Sequence, residues 1–144
     1  MWYRYRPILI AALLLVIAAL TSCSKGKTLN REEARSDIRS AVSLTAESEL
    51  FVEFIRGGHA TRHYAEGHAA YLRDTVRRSV RELEEATPEA AIRNATRNCI
   101  QLLKRLDREL SGIRAALDND TALAVLGDRM KNIRKDLERA QSEL

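Results

Sequence analysis

The chain has 144 residues, with 24 Lys or Arg against 20 Asp or Glu and a formal net charge of +4. This length suffices for one domain with a modest hydrophobic core. Aromatic residues make up only 5% of the chain, and Leu, Ala, Arg and Glu are frequent, which favours helix throughout. Part of the small positive charge comes from Arg4 and Arg6, in a segment of 22 residues without any acid, so the composition argues against a nucleic-acid partner.

The first 22 residues have the pattern of a secretory signal. A basic segment, Met1–Arg6, precedes an apolar run from Ile8 to Leu20 and then small polar residues. As a helix, the run would be only about 20 Å long, whereas a bilayer core asks for about 20 apolar residues over roughly 30 Å. We therefore predict a removable export signal rather than a transmembrane anchor.

The signal ends in Leu20-Thr21-Ser22-Cys23. This tetrad resembles the lipobox of bacterial lipoproteins, in which small or aliphatic residues precede a cysteine that is lipidated and becomes the first residue of the mature protein. The resemblance implies cleavage after Ser22 and a Cys23 that carries acyl chains such as palmitate, and two or more chains anchor a protein stably in a membrane. It implies a cell-envelope location facing the periplasm, and Ser24, in place of a retaining aspartate, favours the outer membrane if the organism has two membranes.

The remainder divides into a short tether and one folded domain. Residues 23–30 are polar and contain a glycine, without apolar periodicity, which is typical of a flexible linker. The predicted organisation is a signal peptide over residues 1–22, a lipidated tether over 23–30 and a helical bundle over 31–144.

The first two predicted helices are separated by glycines. Asn30 is positioned to cap helix 1, which carries acids in its first turn and should end near Arg56, before Gly57-Gly58. Helix 2 should begin around His59 or Ala60 and run to about Ala86, with apolar residues at steps of three and four. Gly67 is expected to weaken its first half.

The third and fourth predicted helices also have start signals. Thr87 is the expected N-cap of helix 3, with Pro88 at its first position. Its apolar stripe makes it the best core helix and places Cys99 as an inert core residue. Asp120 is the expected cap of helix 4, whose apolar residues follow a heptad spacing.

The pattern predicts an all-α fold, an antiparallel bundle of four helices joined by short turns. An open pair of helical hairpins and a helical dimer are the alternatives. No period-two pattern indicates a β-strand.

Three histidines are the main candidates for chemistry. On a helix, His59, His63 and Glu66 would lie at i, i+4 and i+7 on one face, which is a spacing that a metal can use. Against a metal site, the sequence has no second ligand cluster, and His59 follows two glycines. No phosphate-binding loop or nucleophile motif is present. We therefore predict no enzyme and no cofactor.

Rows of basic residues are the remaining candidate. Arg73, Arg77 and Arg81 follow one another at steps of four on helix 2, as a charged face that is either simply solvated or binds anionic phospholipid, lipopolysaccharide or cell-wall polymer. The leading hypothesis is a lipid-anchored envelope protein with a non-enzymatic binding or scaffolding role, whose partners are the membrane and an envelope protein or polymer. The rival is a bundle that binds a small ligand or metal through His59, His63 and Glu66.

Overall fold

The computed structural model describes residues 27–144, so the predicted signal segment and Cys23 lie outside the described residues. Within them the helices are α1 (Arg31–Arg56), α2 (Arg62–Glu85), α3 (Arg93–Ala116) and α4 (Asp120–Ser142). Two short strands, β1 (Thr28–Leu29) and β2 (Thr87–Pro88), pair in parallel, and a 3-10 turn, Ala90–Ile92, precedes α3. The predicted all-α bundle of four helices is confirmed for this part of the chain. None of the helices in residues 27–144 is long and apolar enough to span a membrane.

The four helices run antiparallel to their neighbours. α1 packs mainly on α4, α4 on α3 and α3 on α2, whereas α1 and α2 contact each other much less. The turns between α1 and α2 and between α3 and α4 lie together at one end, where Arg56 Nε donates to Asp120 Oδ1 at 2.9 Å. We call this the distal end. The opposite end carries β1 and β2, and we call it the tether end.

The core is formed by the apolar stripes that the helical period predicts. The largest fully buried side chains include Ile38, Leu72, Leu106 and Met130, one from each helix. Burial of such side chains contributes about 1.5 to 3 kcal/mol each. The middle of α1 faces this core with smaller residues, among them Thr45, whose hydroxyl donates to the carbonyl of Ala41 at 2.8 Å. That hydrogen bond satisfies a polar group that is fully removed from water.

The limits of α1 agree with the sequence. The amide of Glu33 donates to Asn30 Oδ1 at 2.9 Å, and the Glu33 carboxylate accepts from the Asn30 amide at 3.2 Å. This capping box satisfies two amides at the helix start. The helix ends at Arg56, and Gly58 then takes a φ of +73°, a conformation that side chains disfavour and glycine permits.

The predicted start of the second helix was wrong by a few residues. The amide of His59 donates to the carbonyl of Phe54 at 3.2 Å, which keeps His59 in the turn. Thr61 is the N-cap, since its hydroxyl accepts from the amide of Tyr64, and α2 begins at Arg62. The helix is continuous through Gly67, because one glycine costs only about 1 kcal/mol in a helix interior.

Thr87 and Pro88 do not start the third helix. They form β2, since the Thr87 amide donates to the Lys27 carbonyl at 3.0 Å and the Glu89 amide donates to the Leu29 carbonyl at 3.1 Å. These bonds hold the chain extended, so the helical conformation begins only at Ala90. No side chain among residues 27–144 caps either the 3-10 turn or α3.

The cap of the fourth helix is Asn119, not Asp120. Asn119 Oδ1 accepts from the Ala122 amide at 3.0 Å. Asp120 is instead the first helical residue, where its carboxylate contacts Arg56. An acid in the first turn is stabilised by the helix dipole without being the cap.

The folded part of the chain begins before the predicted boundary at Arg31. Leu29 is only 1% exposed and belongs to the hydrophobic core. The β1–β2 pairing and the burial of Leu29 together attach residues at the end of the predicted tether to the bundle.

Candidate functional site

An exposed apolar surface covers the junction of α1 and α2 towards the distal end. We call it the aromatic surface and define it by Leu50, Phe54, Tyr64, His68 and Tyr71. Leu50 is 65% exposed, Phe54 42%, Tyr64 51% and Tyr71 61%. Among the described residues, only one other large hydrophobic side chain, Val125, is exposed to a similar degree. Exposed apolar residues are therefore concentrated on one face of the bundle.

The α2 half of this surface is a row of rings. Tyr64, His68 and Tyr71 occupy positions i, i+4 and i+7, which share one face of a helix. The His68 ring lies 5.7 Å from the Tyr64 ring with an interplanar angle of 6°, and 5.8 Å from the Tyr71 ring at 27°. The three rings form a continuous stack along α2.

The row is seated on aromatic residues of α1. The buried Phe51 ring meets His68 edge to face at 4.5 Å, and the Phe54 ring meets Tyr64 at 6.2 Å and 68°. Edge-to-face pairs of this kind are worth about 0.5 to 1.5 kcal/mol beyond burial. These contacts already restrict the rotation of the exposed rings. Binding of a partner would therefore cost little side-chain conformational entropy.

Carboxylates border the aromatic surface on α1. Glu47 and Glu53 each lie three residues from Leu50, within one helical turn. Glu47 Oε1 is 3.6 Å from His68 Nε2, and Glu53 is exposed. The surface therefore combines apolar rings with negative charge.

Comparison with protein-family models, with curated proteins and with solved structures gives no match. The interpretation of the aromatic surface therefore rests on its own geometry.

The structure does not assemble the predicted metal ligands. His59 lies in the turn before α2, so the i, i+4 spacing to His63 does not apply, and its ring packs against Phe54 at 5.5 Å. Glu66 Oε1 lies 3.3 Å from Arg114 Nε. Within residues 27–144, no group of three or more His, Cys, Asp or Glu side chains is placed to hold a metal ion.

The predicted basic row on α2 is partly neutralised. Asp107 of α3 lies between its first two members, with Oδ1 at 3.0 Å from Arg73 Nε and at 3.2 Å from Arg77 Nε. Arg81 forms no ion pair with any residue in the part of the chain that the structure describes. The row is therefore not a set of three free charges.

The prediction that Cys99 is a core residue is confirmed. Its side chain is fully buried, and burial, with a smaller contribution from the charge of Asp37, raises the pKa of the thiol to about 12. A thiol with such a pKa stays protonated at neutral pH and is a poor nucleophile.

The aromatic surface was not predicted from the sequence. The signal was present, because Tyr64, His68 and Tyr71 already follow the helical period. Its meaning depended on the packing of α1 against α2, which determines that Phe51 is buried while Phe54 stays exposed.

Proposed function

We propose that this protein is a lipid-anchored, non-enzymatic docking protein of the bacterial cell envelope. In this proposal Cys23 holds it in the membrane, preferably the outer membrane facing the periplasm, and the aromatic surface binds a protein partner. The observation that carries the proposal is the concentration of large exposed apolar side chains on one face. Phe54, Tyr64 and Tyr71 are linked by ring contacts through His68, and Leu50 lies one helical turn from Phe54. Single exposed apolar residues are ordinary, but contiguous ones mark interaction sites.

The composition of the surface supports a protein partner. Tyrosine and phenylalanine are enriched at the centres of protein interfaces, where rigid rings supply contact area at a low cost in conformational entropy. The carboxylates of Glu47 and Glu53 favour a partner with Lys or Arg next to apolar side chains. A cation can also contact the faces of tyrosine rings.

The location of the surface on α1 is compatible with the proposed anchor. At 1.5 Å per helical residue, Leu50 lies about 29 Å along the helix axis from Arg31. A protein attached through Cys23 would have its attachment at the tether end. The aromatic surface would then be available to a partner at some distance from the lipid.

The proposal is tested by site-specific photo-crosslinking in cells that produce the full-length chain. A photoreactive phenylalanine analogue replaces Tyr71, and the matched control carries it at Gln101, which is exposed on α3. We expect one discrete adduct with a different protein from position 71 and none from position 101. Combining the position-71 probe with Glu47→Lys and Glu53→Lys should suppress the adduct, because the charge facing a basic partner is reversed.

Four outcomes would contradict the proposal. Equal adducts from both positions, or an adduct that survives the charge reversal, would show that the aromatic surface is not the partner-binding site. An adduct with the mass of two copies would show that the surface binds a second copy of this chain and not a different protein. In the same cells, a Cys23→Ala chain should no longer incorporate a labelled fatty acid, and continued incorporation would refute the anchor.

A further inference from the structure

A row of arginines lies on the exposed face of the first half of α1. Arg31, Arg35 and Arg39 are spaced four residues apart, and all three are exposed. None of them forms an ion pair within 4.0 Å with another residue in the range 27–144. We call these three residues the arginine row.

The row contrasts with the cations at the distal end. There Arg56 contacts Asp120, Arg62 contacts Asp118 and Arg114 contacts Glu66. Like charges four residues apart on a helix repel each other, so three guanidinium groups in series favour an external anion.

The arginine row also lines a depression in the surface. It has a volume of about 470 Å³ and is lined by the three arginines with Glu32 and Ser36. Glu32 is the one carboxylate in this lining, so the depression has an excess of positive charge. Guanidinium groups bind phosphate oxygens with paired hydrogen bonds.

The row begins only eight residues after Cys23 in the sequence. Fully extended, the chain from Cys23 to Arg31 spans at most about 29 Å. Arg39 is only about 12 Å farther along the helix axis. A protein anchored through Cys23 therefore keeps these arginines close to the membrane that holds it.

We infer that the arginine row docks on the anionic phospholipid headgroups of that membrane and holds the tether end of the bundle against it. The inference rests on the proposed lipid anchor and adds an orientation to it. Each basic side chain near an anionic leaflet shifts such an equilibrium about fivefold, so three of them shift it about 100-fold. The aromatic surface, on the distal half of α1 and α2, then stays accessible to its partner.

The test uses the full-length lipidated protein in vesicles of phosphatidylcholine, with or without phosphatidylglycerol, that carry a headgroup-linked quencher. A fluorophore is attached at Ser36→Cys, beside the arginine row, or at Thr121→Cys, an exposed control position at the start of α4. The native Cys99 is buried and does not compete for the label. We expect strong quenching at position 36 only in anionic vesicles. It should fade as salt shortens the Debye length to about 3 Å at 1 M.

A pair of charge-matched variants makes the test specific. Replacing Arg31, Arg35 and Arg39 by Gln should lower the ratio of docked to undocked protein by about 100-fold. The control replaces Arg105, Arg108 and Lys131 by Gln, which are exposed and form no ion pair among the described residues. The control should retain most of the quenching. An equal loss of quenching in both variants would contradict the inference that the arginine row docks on anionic headgroups. Equal quenching in neutral and anionic vesicles would contradict it as well.

Flotation of the vesicles separates this inference from the anchor on which it rests. Protein that floats with neutral vesicles in high salt is held by lipid, whatever the label at position 36 reports. Protein that fails to float would refute the anchor at Cys23 and this inference with it. If the protein floats but shows no charge-dependent quenching, the docking of the arginine row is refuted and the anchor at Cys23 is not.

Discussion

Replacing Leu29 with Ala tests whether the segment before α1 belongs to the fold. Leu29 is 1% exposed and lies in the hydrophobic core. Truncating a buried leucine to alanine costs about 2 to 5 kcal/mol, since transfer free energy is lost and a cavity remains. Two backbone hydrogen bonds, from the Thr87 amide to Lys27 and from the Glu89 amide to Leu29, hold this segment in place. Each contributes about 0.5 to 1.5 kcal/mol.

The expected loss lies at the lower end of that range. Among the described residues, β1 is held to β2 by few backbone hydrogen bonds, so it can detach from the bundle while the four helices stay folded. Such local opening limits how much a single substitution can destabilise the whole protein. We therefore expect the free energy of unfolding to fall by about 2 to 3 kcal/mol.

The assay is urea denaturation of the full chain in mild detergent, followed by circular dichroism of the helices. Leu50→Ala is the matched control, because it makes the same chemical change at a side chain that is 65% exposed. A surface substitution of this kind changes stability by about 0.5 kcal/mol or less. Equal denaturation midpoints for the two variants would show that Leu29 does not pack in the core and that the segment is a free tether.

Three further predictions concern Cys99 and Asp120. In a Cys23→Ala chain, Cys99 is the only thiol, and maleimide should react with it only when urea unfolds the bundle; rapid labelling of the folded chain would contradict the burial. Folding raises the pKa of Cys99 from 9.0 to about 12. The stability that the protonated thiol contributes is therefore present below the unfolded pKa and is lost as pH rises through this window. Cys99→Ala should lose less stability than the unsubstituted protein when the solution is made alkaline. The hydrogen bond from Arg56 is the largest influence on Asp120 and lowers the pKa of this carboxyl below its usual 3.8. The stability that the ionised Asp120 contributes is therefore present above the unfolded pKa and is lost as pH falls through the folded pKa. Asp120→Asn should therefore lose less stability on acidification than the unsubstituted protein, as measured by urea midpoints, and an identical loss would exclude the Arg56 pair.

The sequence alone determined most of the helical architecture. The spacing of apolar residues placed the core stripe of α3, with Leu106 fully buried, and Asn30 with Gly57-Gly58 marked both ends of α1 correctly. These features depend on residues within one or two helical turns, so a local pattern is enough to reveal them. The export and lipidation signal that ends at Cys23 is also a local pattern, and it stays a prediction.

The tertiary structure decided what depends on residues far apart in the chain. Thr87-Pro88 has a good helix-start sequence, but it pairs with Thr28–Leu29, and hydrogen bonds to a distant segment outweigh a local preference. Asp107 of α3 forms ion pairs with two of the three arginines that were predicted as a basic row on α2. Its position beside them follows from the packing of α2 on α3. The exposure of Tyr64 and Tyr71, and the unpaired state of Arg31, Arg35 and Arg39 within the described residues, likewise depend on which helices lie beside them. Side chains on helical faces are fixed by local geometry, but their burial and charge partners are set by the neighbouring helices.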